Sequence, residues 1–310
     1  MTVIAVSGFG SIGRRHAEVF SGLPGVQVVV HDPVSFAEST AYPVVSRLDE
    51  LDGHRPDGLV LASPDEHHLS GARWAAERHL PVLVEKPLAD TVGHAQQLVD
   101  ATADRSPVLV GYVLRHAAVF RAAAAGIAEG LIGTPVSAHA DLGAYETLVV
   151  ARNRFAEPKP DRLFVDYSHE WDYLSWFLGP LTPIAAHART VACVREHTEQ
   201  PNVVDALLRS GDVGVSVHLD YLRHPGRRVC TVIGSDATMT VDVSGELTIR
   251  SEETGEVHTA SYAEPRNAMF ARQAKHFLDI VRHGAVPQVT AEDGLAALRV
   301  ADVLTRLSRS

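Results

Sequence analysis

Short runs of β-branched residues alternate with longer amphipathic stretches from the start of the chain to about residue 114, the rhythm of βαβ units feeding a parallel sheet. The pattern predicts strands at residues 3–6, 26–31, 58–62, 82–84 and 108–112, and helices at 12–20, 66–78 and 92–104. A further helix over 117–129 closes at Gly130, and beyond it the period changes to two. Val213, Val215, Val217, Leu219 and Tyr221 alternate with Gly214, Ser216, His218 and Asp220, which makes a strand with one apolar face that something must cover. Weaker alternation at 185–191, 203–208, 229–233, 239–243 and 247–249 extends this to a mostly antiparallel sheet, with turns at Gly234-Ser235-Asp236 and Ser244-Gly245. Two helices, 267–282 and 291–307, end the chain. The expected fold is therefore α/β plus α+β. A doubly wound parallel sheet occupies residues 1–115, and an α+β domain on an open, mostly antiparallel sheet occupies 116–310, its last helix at 291–307 long enough to pack back on the first domain.

Composition narrows the function classes. Of 310 residues, 45% are hydrophobic and 21% charged, ordinary globular usage that argues against a disordered or fibrous chain. Lys plus Arg number 28 against 38 Asp plus Glu, a net charge of −10 that opposes a polyanion, so nucleic acid is not an expected partner. Cys193 and Cys230 cannot build a disulfide framework, and reduced thiols in a cytoplasm are expected. No basic leader with a long apolar run is present, so neither an export signal nor a membrane span is expected. Seventeen histidines are scattered, with His67 and His68 the one adjacent pair and no H-E-x-x-H, so no metal is expected.

Residues 8–13 read G-F-G-S-I-G, directly after a predicted strand and at the start of a predicted helix. In that position Gly8 permits the tight turn, Gly10 lets the backbone come close to a pyrophosphate, and Gly13 lets the helix lie against the strand. The amides of Ser11 and Ile12 then open the helix toward an anion. The second strand ends in His31-Asp32, 24 residues after Gly8, where a carboxylate accepts from the adenosine ribose and repels a 2′-phosphate. Strand, loop, helix, strand and acid in this order predict a Rossmann dinucleotide site, with NAD ahead of NADP. Arg14 and Arg15 are the qualification, because either could reach a 2′-phosphate if the loop bends toward it.

The fifth strand runs into Glu85-Lys86-Pro87, at the carboxyl end where open α/β sheets hold ligands. An amine there loses solvation, which lowers its pKa, and its charge stabilises an alkoxide as a hydroxyl gives up its proton. Taken alone, Glu85 and Lys86 read equally well as a local ion pair. Asp166, His169 and Asp172 step by three through F-V-D-Y-S-H-E-W-D-Y-L-S-W-F-L-G. If the helix starts near Asp166, that spacing stacks an imidazole between two carboxylates, suited to general acid/base work. The plain structural alternative is that Asp166 caps the helix and His169 is a satisfied, partly buried ring.

Four ordered segments, G-F-G-S-I-G-R-R-H, S-P-D-E-H-H, E-K-P and the D-Y-S-H-E-W-D-Y run, together with G-Y-V-L-R-H, E-G-L-I-G and A-E-D-G-L-A-A-L-R-V-A, cover nearly the whole length. On these the chain resembles the glucose-fructose oxidoreductase and inositol dehydrogenase family, Gfo/Idh/MocA. The resemblance implies an NAD(P)-dependent oxidoreductase acting on a sugar, sugar derivative or cyclitol, with an open sheet that often mediates homo-oligomers. It makes Lys86 similar to the family's catalytic lysine, His169 to its histidine and Asp172 to the acid that follows. Ser63, Pro64 and His68 look like the cofactor-side loop after the fourth strand, with Glu85 beside them. The chain departs from many relatives in placing Asp166 three, not four, residues before the histidine. Its D-x-x-H-E-x-D version is similar to members associated with nucleotide sugars.

The segment 145–162 carries Arg152, Arg154, Lys159 and Arg162 against Glu157 and Asp161. Forked arginine contacts there would hold a substrate carboxylate or phosphate, and a solvated surface loop is the equal alternative. Tyr145 and Arg115 are further candidates to line the pocket. Two other functions stay open on sequence: a dinucleotide sensor without catalysis, and an NAD-recycling elimination or glycosidic cleavage.

Overall fold

The computed structural model describes residues 1–34, 41–143, 163–191 and 201–309. It divides into two compact units, residues 1–116 with 265–298, and residues 117–264 with 299–310.

In the first unit, β1 (Thr2–Ser7), α1 (Ser11–Ser21), β2 (Val26–His31), β3 (Val44–Val45), β4 (Gly58–Leu61), α2 (His68–Glu77), β5 (Val82–Val84), α3 (Val92–Thr102) and β6 (Val108–Val110) follow in chain order. All pair in parallel as β3-β2-β1-β4-β5-β6. The order reverses between β1 and β4, the point at which a doubly wound sheet opens a crevice beyond its carboxyl ends. β4, β5 and β6 are buried throughout, as expected of strands covered on both faces. The two-residue edge strand β3 has too little sequence to show a period and is not foreseen.

The second unit begins with α4 (Ala118–Ala128) and β7 (Pro135–Gly143), then α5 (Leu163–Asp166), α6 (Ser168–Leu178), β8 (Thr182–Arg189), β9 (Val203–Ser210), β10 (Val213–Asp220), β11 (Arg227–Gly234), β12 (Ala237–Asp242), β13 (Glu246–Ser251) and β14 (Val257–Ser261). The chain ends with α7 (Arg266–His283) and α8 (Ala291–Leu307). Eight strands form one sheet in the order β14-β13-β12-β11-β7-β10-β9-β8, antiparallel except where β7 lies parallel to β10. Its apolar face is covered by α4 and α6: Phe120 lies 5.0 Å from Tyr173, centroid to centroid, and the space beside Gly126 is filled by Met239 and Leu131. The other face is polar, with His139 bonded to Ser216 at 2.6 Å and Thr231 paired with Thr240.

The helix α7, expected with the second domain, groups with the first unit, as does α8 up to Leu298. The reason is packing: Phe277 meets Phe20 of α1 edge-on at 6.0 Å, and Phe270 meets His16 at 5.9 Å. No helix among the described residues is long and apolar enough to cross a membrane.

Candidate functional site

Gly8 adopts φ +94, and a methyl built on it would lie 2.4 Å from the Ser63 amide nitrogen, so this position brings the ends of β1 and β4 into backbone contact. A methyl at Gly13 would lie 1.9 Å from the Gly8 carbonyl oxygen, which pins α1 against the loop. A methyl at Gly10 would meet no protein atom within 4 Å. Gly10 is the N-cap of α1, donates no side-chain cap, and the first turn carries no acid. Its helix-opening amides, on Ser11, Ile12 and Gly13, lack intrahelical partners by geometry and face this open space as anion donors. The residues present fit a pyrophosphate.

Asp32 is partly exposed at the end of β2, with one carboxylate oxygen accepting from the Phe9 amide at 2.6 Å and the other from the Val34 amide at 2.8 Å. It braces the glycine loop. A carboxylate has about four acceptor sites, so the same group also suits vicinal ribose hydroxyls. Arg14 turns onto the loop, its Nε donating to the Phe9 carbonyl and its guanidinium 4.6 Å above the Phe9 ring. Arg15 lies 5.0 Å over Phe270. Both arginines are thus engaged by aromatic rings, which favours NAD over NADP. Asp32→Ala is expected to weaken NADH binding by about ten-fold or more, since it removes the charge-assisted bond that braces the loop at Phe9 together with the carboxylate suited to the ribose hydroxyls, and to narrow the gap between NADH and NADPH; fluorescence titration with both nucleotides checks this.

Ser63 and Pro64 follow β4 at the crevice. His68 is buried and spans two loops. Nε2 lies 3.0 Å from the Ser63 carbonyl, and Nδ1 lies 3.1 Å from that of Pro87 and 3.3 Å from that of Leu88. Its ring therefore sits between the two crevice loops with both nitrogens facing main-chain carbonyls, and in its neutral form it donates to one of the two loops. Burial holds its pKa below the ordinary imidazole value. The unfolded chain takes up this proton near pH ~6.5, so the contribution is full above that value and is lost as pH falls toward the folded-state pKa, by at most about 1.4 kcal/mol per pH unit. Urea unfolding at about pH 7.5 and about pH 5.5 should show a smaller acid loss for His68→Gln than for the wild type.

Lys86 is partly exposed just past β5. Glu85 is buried, and its carboxylate is directed to His16, at 2.7 Å. Its other oxygen accepts from the Lys86 backbone amide at 3.2 Å. Arg115 lies near the start of α8, with Nη1 3.6 Å from Asp293 and 3.4 Å from the Gln288 carbonyl.

In the second unit a single residue, Tyr167, interrupts the helix expected from Asp166 onward. Asp166 ends α5, where it accepts from the Tyr221 hydroxyl at 3.5 Å, and α6 opens at Ser168. The three-residue steps therefore do not run along one continuous helix. His169 stands partly exposed in the first turn of α6, and Asp172, one turn on, is 1% exposed. Trp171 Nε1 donates to the Phe164 carbonyl at 2.7 Å and ties α5 to α6. Glu170 is fully buried, with Arg228 Nε 2.8 Å away, which anchors the opening turn of α6 to β11. Burial, reinforced by the Glu170 charge, pushes the Cys230 thiol up to about 12. Tyr145, Arg152, Arg154, Lys159 and Arg162 lie outside the described residues, as does Cys193.

Two functional candidates escape the sequence reading. His16 falls at the polar gap in the buried Gly13, Ala17, Phe20 stripe of α1, and Glu170 falls on the buried side of α6 beside Trp171 and Leu174. An ionisable residue on an apolar helix face is the signal that marks both.

A family model described as "Oxidoreductase family, NAD-binding Rossmann fold" matches residues 3–112, and one described as "GFO/IDH/MocA C-terminal domain" matches residues 120–240. The chain is 27% identical over 325 residues to an inositol 2-dehydrogenase of Pseudomonas syringae pv. syringae strain B728a, covering 96% of this chain and 92% of that protein. An oxidoreductase from Agrobacterium radiobacter, solved with NAD+, L-tartaric acid and magnesium, superposes with a TM-score of 0.86 at 15% identity, covering 100% of this chain and 96% of that one. A myo-inositol dehydrogenase from Corynebacterium glutamicum ATCC 13032 superposes with a TM-score of 0.79 at 20% identity, covering 100% and 97%.

Proposed function

Because the chain belongs to the Gfo/Idh/MocA family of NAD-binding oxidoreductases, we propose that it is a dehydrogenase acting on a CH–OH group of a sugar, sugar derivative or cyclitol. The observation that carries this reading is the placement of Lys86 at the carboxyl end of β5, in the same parallel sheet whose β1 ends in the anion-binding loop. The inositol 2-dehydrogenase relative supports the polyol substrate class.

Gly10 and the opening turn of α1 hold the pyrophosphate, and Asp32 holds the adenosine ribose. Bound NAD supplies the hydride acceptor. Lys86 stabilises negative charge on the substrate oxygen, and His169 takes the hydroxyl proton as the carbinol carbon gives up hydride. Asp172, one helical turn from His169, fits the role of holding that ring; Asp166, at the end of a separate turn, fits it less well. Arg115 and the basic segment containing Tyr145, Arg152 and Arg154 are the candidates for an anionic substrate group. A cytoplasmic setting is part of this proposal, in keeping with a chain that carries only two cysteines.

The test is a panel of inositols, aldoses, sugar acids and nucleotide sugars incubated with the protein and NAD, read at the reduced-nicotinamide absorbance band. Turnover of at least one polyol is expected. A protein that binds NADH and turns over none of them is a dinucleotide sensor, and turnover without net NADH accumulation marks a cofactor-recycling elimination.

A further inference from the structure

His16 is 1% exposed on the inward face of α1, about one turn from the amides that open that helix. Its Nε2 lies 2.7 Å from Glu85 Oε1, and its ring packs near Phe20 and edge-on to Phe270. Glu85 is fixed from every side. Its backbone N–H donates to the Leu61 carbonyl at 2.9 Å, its Oε2 accepts from the Lys86 amide at 3.2 Å, and a methyl at Gly111 would come within 2.9 Å of its Cα, Cδ and Oε2. Gly111 itself donates to the Val84 carbonyl.

A buried carboxylate and imidazole are costly to desolvate, and apolar side chains of similar volume usually serve stability as well or better. Here the pair joins two particular places: the helix whose amino end faces the anion space, and the backbone amide of the lysine beyond β5. One ring and one carboxylate thus connect α1 to the main chain of Lys86.

We infer that His16 and Glu85 are positioning residues that hold the Lys86 main chain in register with α1, so that the amine is presented at a place fixed by the glycine loop. This rests on the reading of Lys86 and the loop given above. Neither residue touches substrate; both act through Lys86.

The chain has only three lysines, Lys86, Lys159 and Lys275, so the reactivity of Lys86 can be read in the presence of two internal standards. The decisive variant is the apolar double replacement His16→Phe with Glu85→Leu, which leaves no unpaired buried charge. Competitive acetylation followed by peptide mass spectrometry, without nucleotide, should show the Lys86 rate altered by about three-fold or more relative to Lys159 and Lys275. NADH affinity by fluorescence should stay within about three-fold while kcat falls about ten-fold or more, the split expected of a group felt mainly in the transition state. Glu85→Gln, which still accepts from the Lys86 amide, should recover most of that loss.

A folded double variant with wild-type kcat and wild-type Lys86 acetylation overturns the inference. If the double variant does not fold, His16→Asn, too short to reach Glu85, is read in the same two assays, and normal values there overturn it equally. Lys86→Ala run in parallel separates the two claims. Turnover that survives in Lys86→Ala defeats the catalytic reading, whereas its loss beside an unaffected double variant defeats only the positioning role.

Discussion

Lys86→Ala is expected to leave NADH affinity within a few-fold of wild type and to lower turnover by about two or more orders of magnitude. The amine stands past the end of β5, where its charge is available to an oxygen that becomes anionic only as the proton departs. An interaction made in the transition state and not with the nucleotide alters kcat while sparing binding. The side chain is partly exposed, so its truncation opens no cavity in the core, and thermal stability should change little. Steady-state kinetics with direct NADH titration reads both quantities; unchanged turnover would remove Lys86 from the chemistry.

The second large effect separates two glycines three residues apart. Gly13→Ala forces a methyl to within 1.9 Å of the Gly8 carbonyl, a clash between two backbone segments that neither can relieve by rotating a side chain. It should cost about 3 kcal/mol of stability, the upper end of ordinary overpacking, and abolish measurable NADH binding with it. Gly10→Ala meets no protein atom within 4 Å and has a φ of −69 that alanine accepts. Its stability should move by about 1 kcal/mol or less, yet NADH affinity should fall about ten-fold or more, about 1.4 kcal/mol, because the methyl occupies the space left for the anion. Both variants then lose NADH affinity in titrations, but thermal melts separate them: Gly13→Ala loses stability and Gly10→Ala keeps it, if Gly10 is the point of closest approach. Equal NADH affinity in Gly10→Ala and wild type would place the pyrophosphate elsewhere.

Much of the first sheet is legible in the chain because its strands are buried on both faces and written in valine and leucine, as β4, β5 and β6 are. β7 is not, although it is one of the two middle strands of the second sheet. Its inward residues include Ala138 and Ala140, too small to stand out against Ser137, His139 and Asp141 on the polar face. β14 is exposed along its whole length and carries no burial signal. The glycine loop and Asp32 can be read locally, since their geometry is set within one strand-loop-helix unit. The break at Tyr167 cannot, because Phe164 and Trp171 are joined by a hydrogen bond that depends on the turn itself. The pairing of His16 with Glu85 spans 69 positions, and residue patterns report which face a side chain is on without naming its partner.

Since residues 265–298 complete the first unit, vectorial synthesis delivers its last pieces after nearly the whole chain has left the ribosome. A fragment ending at His116 lacks the aromatic side chains of Phe270 and Phe277 that cover His16 and Phe20, and would emerge with a greasy flank open to self-association. A nucleotide-binding fragment of this protein would therefore have to be made by splicing the late segment back onto the early one, not by truncation.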